Sequence, residues 1–307
     1  MKITIIGTDY PLYEQYCPHW NGIKRGLERL NIEYQFISCR PQFEDSKFEQ
    51  IKNFKPDLIV YGMLDMVKHF NDRMTIKVQN PQAKIVMWYG DLRNKDTGQV
   101  FADCSEVDAM FVSNDAQKSF YNEIWGIKEV YFLPLGAEPI EKPIFKQALS
   151  IPFLFIGGKI TGKSFLGRAV EIGRYEKEGL KVVNSFEHDL RKKIFENMPA
   201  LYSSSKVSLD VSHFTDIKAY TSIRYWEIPA FWGFALTKRF PDCEQFYSKD
   251  ERVYFDTFEE AIDLKNYYLK NESERLKFVE KGHKRSFDHS YNKRFKRMFE
   301  LLGINMV

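Results

Sequence analysis

Short apolar runs rich in β-branched and aromatic residues recur along the chain, separated by stretches long enough for a helix. Residues 2–6 (KITII) form the first run, which stops at Gly7; residues 34–38, 58–61, 84–88, 108–112 and 129–132 continue the series. Lys55-Pro56-Asp57 introduces the third run, and the fourth ends in Tyr89-Gly90-Asp91. Runs of this length with little polar alternation suit strands buried on both faces. Residues 23–30 carry apolar positions at helical spacing, with basic residues on the outer face. Alternation of this kind predicts a parallel sheet wound with helices.

The pattern breaks at residues 133–139 (LPLGAEP), and Pro139, Pro143 and Pro152 mark residues 139–152 as a linker. Apolar runs resume at 153–156, 181–184, 207–211, 234–237 and 252–255. Two α/β halves of similar size are expected, with domains at 1–140 and 151–285 and a terminal helix at 286–307. Residues 272–302 have a helical pattern throughout, and residues 270–297 hold ten Lys/Arg against four Asp/Glu. Such a segment is expected to be a solvated amphipathic helix.

Two segments carry candidate chemistry. The first is 157–164, GGKITGKS, which satisfies the G-x-x-x-x-G-K-[ST] pattern after an apolar strand. Glycine amides and a lysine at a helix N-terminus bind phosphate, and the run ending in Asp210 resembles the acidic strand of a nucleotide hydrolase. A P-loop NTPase or kinase is therefore one reading. Against it, about half the chain precedes the loop, and a P-loop gives no account of the second segment. That segment is 222–246, SIRYWEIPAFWGFALTKRFPDCEQF. It reads as a short amphipathic helix carrying Glu227, a glycine stop at Gly233, an apolar strand and a polar loop.

The second segment resembles the final signature of group 1 glycosyltransferases of the GT-B fold, especially the CgeB-like (spore-maturation) branch. Arg224 and Glu227 match its Arg-x-x-Glu helix, Gly233 its turn, and Asp242, Glu244 and Phe246 its closing loop. Residues 288–294 (DHSYNKR) are similar to its His-x-Tyr-x-x-Arg close. The first Glu of the broader Glu-x7-Glu pattern is replaced by Ala219, which withdraws that position as a contact to the donor sugar. The resemblance covers 150–300 well and the first half only loosely. It implies two facing Rossmann-like domains, with the last helix crossing back to the N-terminal domain.

The implied activity is transfer of a sugar from a nucleotide sugar, a UDP- or GDP-sugar, with a retaining outcome. The ribose diol needs a carboxylate that accepts two hydrogen bonds, a role for Glu227. The diphosphate needs fixed cations and backbone amides, roles for Gly157, Gly158, Lys159, Lys163, Ser222 and Arg224, with Ser222 also capping the helix. No Asp-x-Asp pair is present, so no metal cofactor is expected and a cationic site takes its place. The N-terminal half is expected to hold the acceptor, at Thr8, Asp9, Tyr10, Trp20 and Asn21. A retaining reaction at the front face needs no protein base; if the reaction inverts instead, Asp91, then His19, are the candidates for a catalytic base. A non-catalytic nucleotide-sugar-binding protein is the third reading.

Composition narrows this little. Apolar residues make up 44% and charged residues 28% of 307, and the net charge is +3, too small by itself to imply a nucleic-acid partner. The basic 270–297 segment nevertheless permits an anionic acceptor, modified DNA included, and a protein, lipid-linked glycan or spore-coat acceptor is equally allowed. The four cysteines have no C-x-x-C spacing, which disfavours structural zinc and a disulfide framework. No run is long enough for a membrane span, and a cytoplasmic location is expected.

Overall fold

The apolar runs become strands of two separate, wholly parallel sheets. The computed structural model describes residues 1–7, 18–39, 43–62, 70–90, 104, 106–114, 116, 118–158, 166–183 and 188–305. The first part of the chain forms β1 (Lys2–Gly7), α1 (Pro18–Glu28), β2 (Glu33–Ser38), α2 (Asp45–Phe54), β3 (Leu58–Tyr61), α3 (Phe70–Gln79), β4 (Lys84–Tyr89), β5 (Ala109–Val112), α4 (Lys118–Trp125) and β6 (Val130–Phe132). Its sheet has the order β2-β1-β3-β4-β5-β6, with Ile3 beside Leu58 and Val86 beside Ala109. Every residue of β3 and β5 is buried, whereas the edge strands β2 and β6 are largely half-exposed. Lys55-Pro56-Asp57 works as punctuation. Lys55 ends α2 in the left-handed region at φ 54°, and the Asp57 carboxylate accepts the Lys2 N–H at 2.7 Å, pinning the start of β1. Arg73 and Glu106 form an ion pair with both side chains out of solvent.

The remainder forms β7 (Phe153–Ile156), α5 (Leu166–Lys177), β8 (Lys181–Val183), α6 (His188–Ser204), β9 (Val207–Asp210), α7 (Ile223–Ala230), β10 (Ala235–Lys238), β11 (Val253–Phe255), α8 (Phe258–Lys270), α9 (Glu272–Ser286) and α10 (Tyr291–Leu301). The order here is β11-β10-β9-β7-β8. β7 thus has its successor β8 on one side and β9 on the other, and the order reverses between β7 and β9. That is where a doubly wound sheet leaves a crevice at its strand carboxyl ends.

The chain divides into two compact units. Unit 1 comprises Met1–Glu14, Lys24–Leu135 and Arg294–Val307; unit 2 comprises Gln15–Ile23 and Gly136–Lys293. The last helix therefore does return to the first sheet. The Phe295 ring meets Trp88 edge-on at 5.6 Å, Arg294 Nε donates to the Leu135 carbonyl at 3.3 Å, and Lys84 Nζ donates to the Leu302 carbonyl at 3.1 Å. The start of α1 belongs instead to unit 2. His19 Nδ1 and the Tyr291 hydroxyl lie 2.5 Å apart, and the Glu138 carboxylate accepts the Tyr291 N–H at 3.2 Å. A Cβ on Gly22 would sit 2.6 Å from the Tyr291 ring, so only glycine admits this contact.

Three local expectations are corrected. Residues 272–302 are two helices, α9 and α10, parted by a 3-10 turn at Phe287–His289. The turn is held by His289, whose Nε2 lies 2.9 Å from the Phe246 carbonyl. Helix α7 is not amphipathic: every residue from Arg224 to Ala230 is buried. Gly233 is not the left-handed stop. Trp232 takes that conformation at φ 59°, an uncommon state for a bulky residue. Its indole N–H donates to the Ile140 carbonyl at 3.1 Å, and its ring stacks on His283 at 3.9 Å. Gly233 is required for space, since a Cβ there would meet Ile228 Cγ2 at 2.8 Å and the Ile228 carbonyl at 2.9 Å.

Candidate functional site

Arg224, on the first turn of α7, reaches across the carboxyl ends of β7 and β9. Its Nη1 donates to the Ile156 carbonyl at 3.4 Å and its Nη2 to the Val211 carbonyl at 2.8 Å. The guanidinium lies 4.5 Å from the Phe155 ring centroid. A Cβ on Gly157 would come within 2.9 Å of Nη1. Gly157 therefore leaves room for a cation at the reversal point of the sheet. Arg224 Nε is buried and makes no hydrogen bond, although Asp210 Oδ1 lies 3.8 Å from it.

Asp210 ends β9 and anchors the site. Its carboxylate is buried between two guanidiniums, Arg224 and Arg252, the latter donating from Nη1 at 3.2 Å. Thr237 and Ser222 hydroxyls approach it at 3.5 and 3.4 Å. Ser222 stands at the N-cap of α7 in extended conformation, but its hydroxyl turns to Asp210 and makes no capping bond. The expected side-chain cap is thus replaced by a tie to β9.

Glu227 lies one turn further along α7 and is buried. Burial raises its pKa from 4.5 to about 7, and the nearby Arg224 opposes that rise. No hydrogen bond from the described residues to its carboxyl contributes. A buried carboxyl without donors keeps its full acceptor capacity for an incoming group. The Tyr202 hydroxyl is also buried, with no hydrogen-bond partner among the described residues. Its pKa is pushed well up by burial and then by the Glu227 charge, with Arg224 opposing.

Arg168 in α5 joins this group from outside the motifs. Its Nη2 donates to the Gly158 carbonyl at 3.2 Å. Burial, then repulsion from Arg224, lowers its pKa to about 10. Two cations placed to repel one another favour an anion between them. The only hint in the sequence was a basic residue shortly after the glycine-rich loop.

Of the residues expected from the sequence, Gly157, Gly158, Ser222, Arg224 and Glu227 come together here. Thr8, Asp9, Tyr10, Asp91, Lys159 and Lys163 lie outside the described residues. Trp20 and Asn21 were expected on the acceptor side of the first half, but they fall in unit 2 with the start of α1; the Tyr291 and Glu138 contacts to that turn are the reason. At His19 burial lowers the pKa from 6.5 to about 4, and Nδ1 lies 2.5 Å from the Tyr291 hydroxyl. Among the described residues, no cluster of three or more His, Cys, Asp or Glu could hold a metal, and no helix is long and apolar enough to cross a membrane.

A family model described as glycosyl transferase-like matches residues 144–300, just over half of the chain. The chain belongs to this family. No curated protein matches its sequence. Solved glycosyltransferases share its fold at low identity. An alpha-glucosyltransferase in complex with UDP and a 13-mer DNA aligns over 99% of this chain and 100% of that one, with a TM-score of 0.62 and 12% identity. The T4 phage beta-glucosyltransferase aligns over 97% and 99%, with a TM-score of 0.60 and 13% identity. Sucrose-phosphate synthase from Thermosynechococcus elongatus aligns over 99% of each chain, with a TM-score of 0.56 and 10% identity. The fold of this glycosyltransferase is of the GT-B type. Its Asp210 also answers the P-loop reading: a carboxylate held by two guanidiniums is not poised to carry a hydrated magnesium ion.

Proposed function

We propose that this glycosyltransferase takes a nucleotide sugar, a UDP- or GDP-sugar, on unit 2 and transfers the sugar, with retention, to an acceptor on unit 1. The observation that carries the reading is Glu227: a buried carboxyl with no donor among the described residues, one helical turn from the Arg224 that reaches the reversal point of the second sheet. Glu227 would accept the two ribose hydroxyls. Arg224 Nε, Arg168 and the Gly157–Gly158 backbone would face the diphosphate and stabilise the charge that grows as the sugar departs. The arrangement supplies that charge from protein cations, so no metal is assigned. Solved neighbours that hold UDP lend support. The pattern of Arg224, Glu227 and Gly233 keeps the CgeB-like branch as the finer assignment.

The acceptor is assigned as anionic. On unit 1 the exposed Lys296 and Arg297 of α10 favour such a partner, and the exposed Lys277, Lys281, Lys284 and Lys293 of unit 2 would add to the attraction; one solved neighbour is a complex with a 13-mer DNA and another is described as a DNA modifying enzyme. The test is a thermal-shift panel of UDP, GDP, ADP, their sugars and ATP, each with magnesium and with a chelator. A shift by one nucleoside diphosphate and its sugars that survives chelation supports the reading. A shift confined to a triphosphate with magnesium overturns it.

A further inference from the structure

Helix α7 contains a proline, Pro229, in its last turn. Proline has no N–H, so the carbonyl four residues earlier loses its helical partner. That carbonyl belongs to Tyr225, and it accepts a hydrogen bond from Arg252 Nη2 at 2.5 Å. Arg252 reaches it from just before β11 and is itself buried. Its guanidinium lies over the Tyr225 ring at 3.8 Å and the Tyr247 ring at 4.5 Å. Nη1 of the same group donates to Asp210 and, at 3.1 Å, to the Thr237 hydroxyl. One planar fork therefore closes the gap in α7 and ties that helix to the carboxylate that also faces Arg224. Tyr225 lies between Arg224 and Glu227 in the sequence, so the patched carbonyl belongs to the turn that carries both.

We propose that Arg252 is a positioning residue: it completes α7 opposite Pro229 and thereby fixes Glu227 and Arg224. The donor-binding consequence rests on the function proposed above; the helix-completing role does not. Buried against Asp210, Thr237 and the Tyr225 carbonyl, Arg252 acts through the helix and the carboxylate. Lysine cannot replace it, because a single ammonium does not span Asp210 and the Tyr225 carbonyl in the way a guanidinium fork does.

The experiment uses the full chain with Arg252→Lys, Pro229→Ala and the double variant. Pro229→Ala restores an N–H at 229 and gives Tyr225 its own helical donor. Three quantities are read: amide hydrogen exchange across 225–231, the pKa of the Glu227 carboxyl by carbon NMR, and the Kd for UDP and GDP by calorimetry. Arg252→Lys is expected to accelerate exchange at least about tenfold. It should also move the Glu227 pKa down from about 7 as water enters, and weaken nucleotide binding by about tenfold. In the Pro229→Ala background the same lysine should cost much less on every readout, a coupling expected only of residues that share a partner. Exchange and pKa unchanged within about twofold by Arg252→Lys, or effects that simply add in the double variant, overturn the proposal. If the wild type binds neither nucleotide while the exchange and pKa effects appear as expected, the donor reading fails and the positioning of Glu227 by Arg252 stands.

Discussion

Gly157 and Arg224 are fitted to one another: a single methyl group on the glycine would lie 2.9 Å from the guanidinium Nη1. The glycine that a P-loop reading assigns to phosphate contact is needed first to seat a cation. Gly157→Ala should displace Arg224, which already holds the Ile156 and Val211 carbonyls. Overpacking of this kind costs about 1–3 kcal/mol. Chemical denaturation should show a loss in that range, and calorimetry a nucleotide Kd raised by about tenfold or more.

Glu227 makes the folded protein less stable as it ionises. Its pKa rises from 4.5 to about 7 on folding. Between those values the folded state binds more protons than the unfolded chain, so stability falls as pH rises through that window. Glu227→Gln removes the penalty. Denaturation at pH 8 should find the variant more stable than wild type by up to about 3 kcal/mol, and at pH 4 the gain should vanish. The same variant should lose most of its nucleotide affinity at both pH values.

His19 works in the opposite sense. Its pKa falls from 6.5 to about 4 in the folded state. The unfolded chain binds more protons in that interval, so stability present above pH 6.5 is lost as pH falls through it. His19→Gln should flatten this acid limb in melting curves taken at successive pH values. Nucleotide binding at pH 7.5 should stay within about twofold of wild type, since the ring acts in packing α1 on Tyr291.

Asp210→Ala would leave the buried guanidiniums of Arg224 and Arg252 without a counter-charge. Breaking a buried ion pair from one side costs about 3–5 kcal/mol. A midpoint shift of that size should appear with or without magnesium. A loss seen only when magnesium and a nucleoside triphosphate are present would point to a metal-bound carboxylate.

The strands were legible because parallel strands buried on both faces leave continuous apolar runs, as at β3 and β5. Helix α7 was misread because Arg224 and Glu227 were counted as a polar, outward face. Both are buried, Arg224 by its carbonyl and Asp210 contacts and Glu227 at the cost of a raised pKa. Gly233 looked like a stop because glycine usually fills left-handed positions. Trp232 fills this one, held by a stack and a hydrogen bond from residues far away in sequence. The break between α9 and α10 carries neither glycine nor proline; His289 makes it through Phe246. Arg252 was invisible as a site residue, and Arg168 showed only as a basic residue after the glycine-rich loop, because their partners, Gly158, Arg224, Tyr225 and Asp210, are brought to them by the fold.

The His19–Tyr291 and Glu138–Tyr291 contacts have a consequence for anyone cutting the gene. The second α/β body is not encoded by one stretch of sequence, because a turn of α1 is woven into it. A fragment starting at residue 136 would lack His19 and the buried Trp20 and would leave the Tyr291 ring uncovered. A chimaera that swaps this half between relatives would have to carry residues 18–23 along with 136–293. Two mutually compatible segments, more than a hundred residues apart, would have to be inherited together.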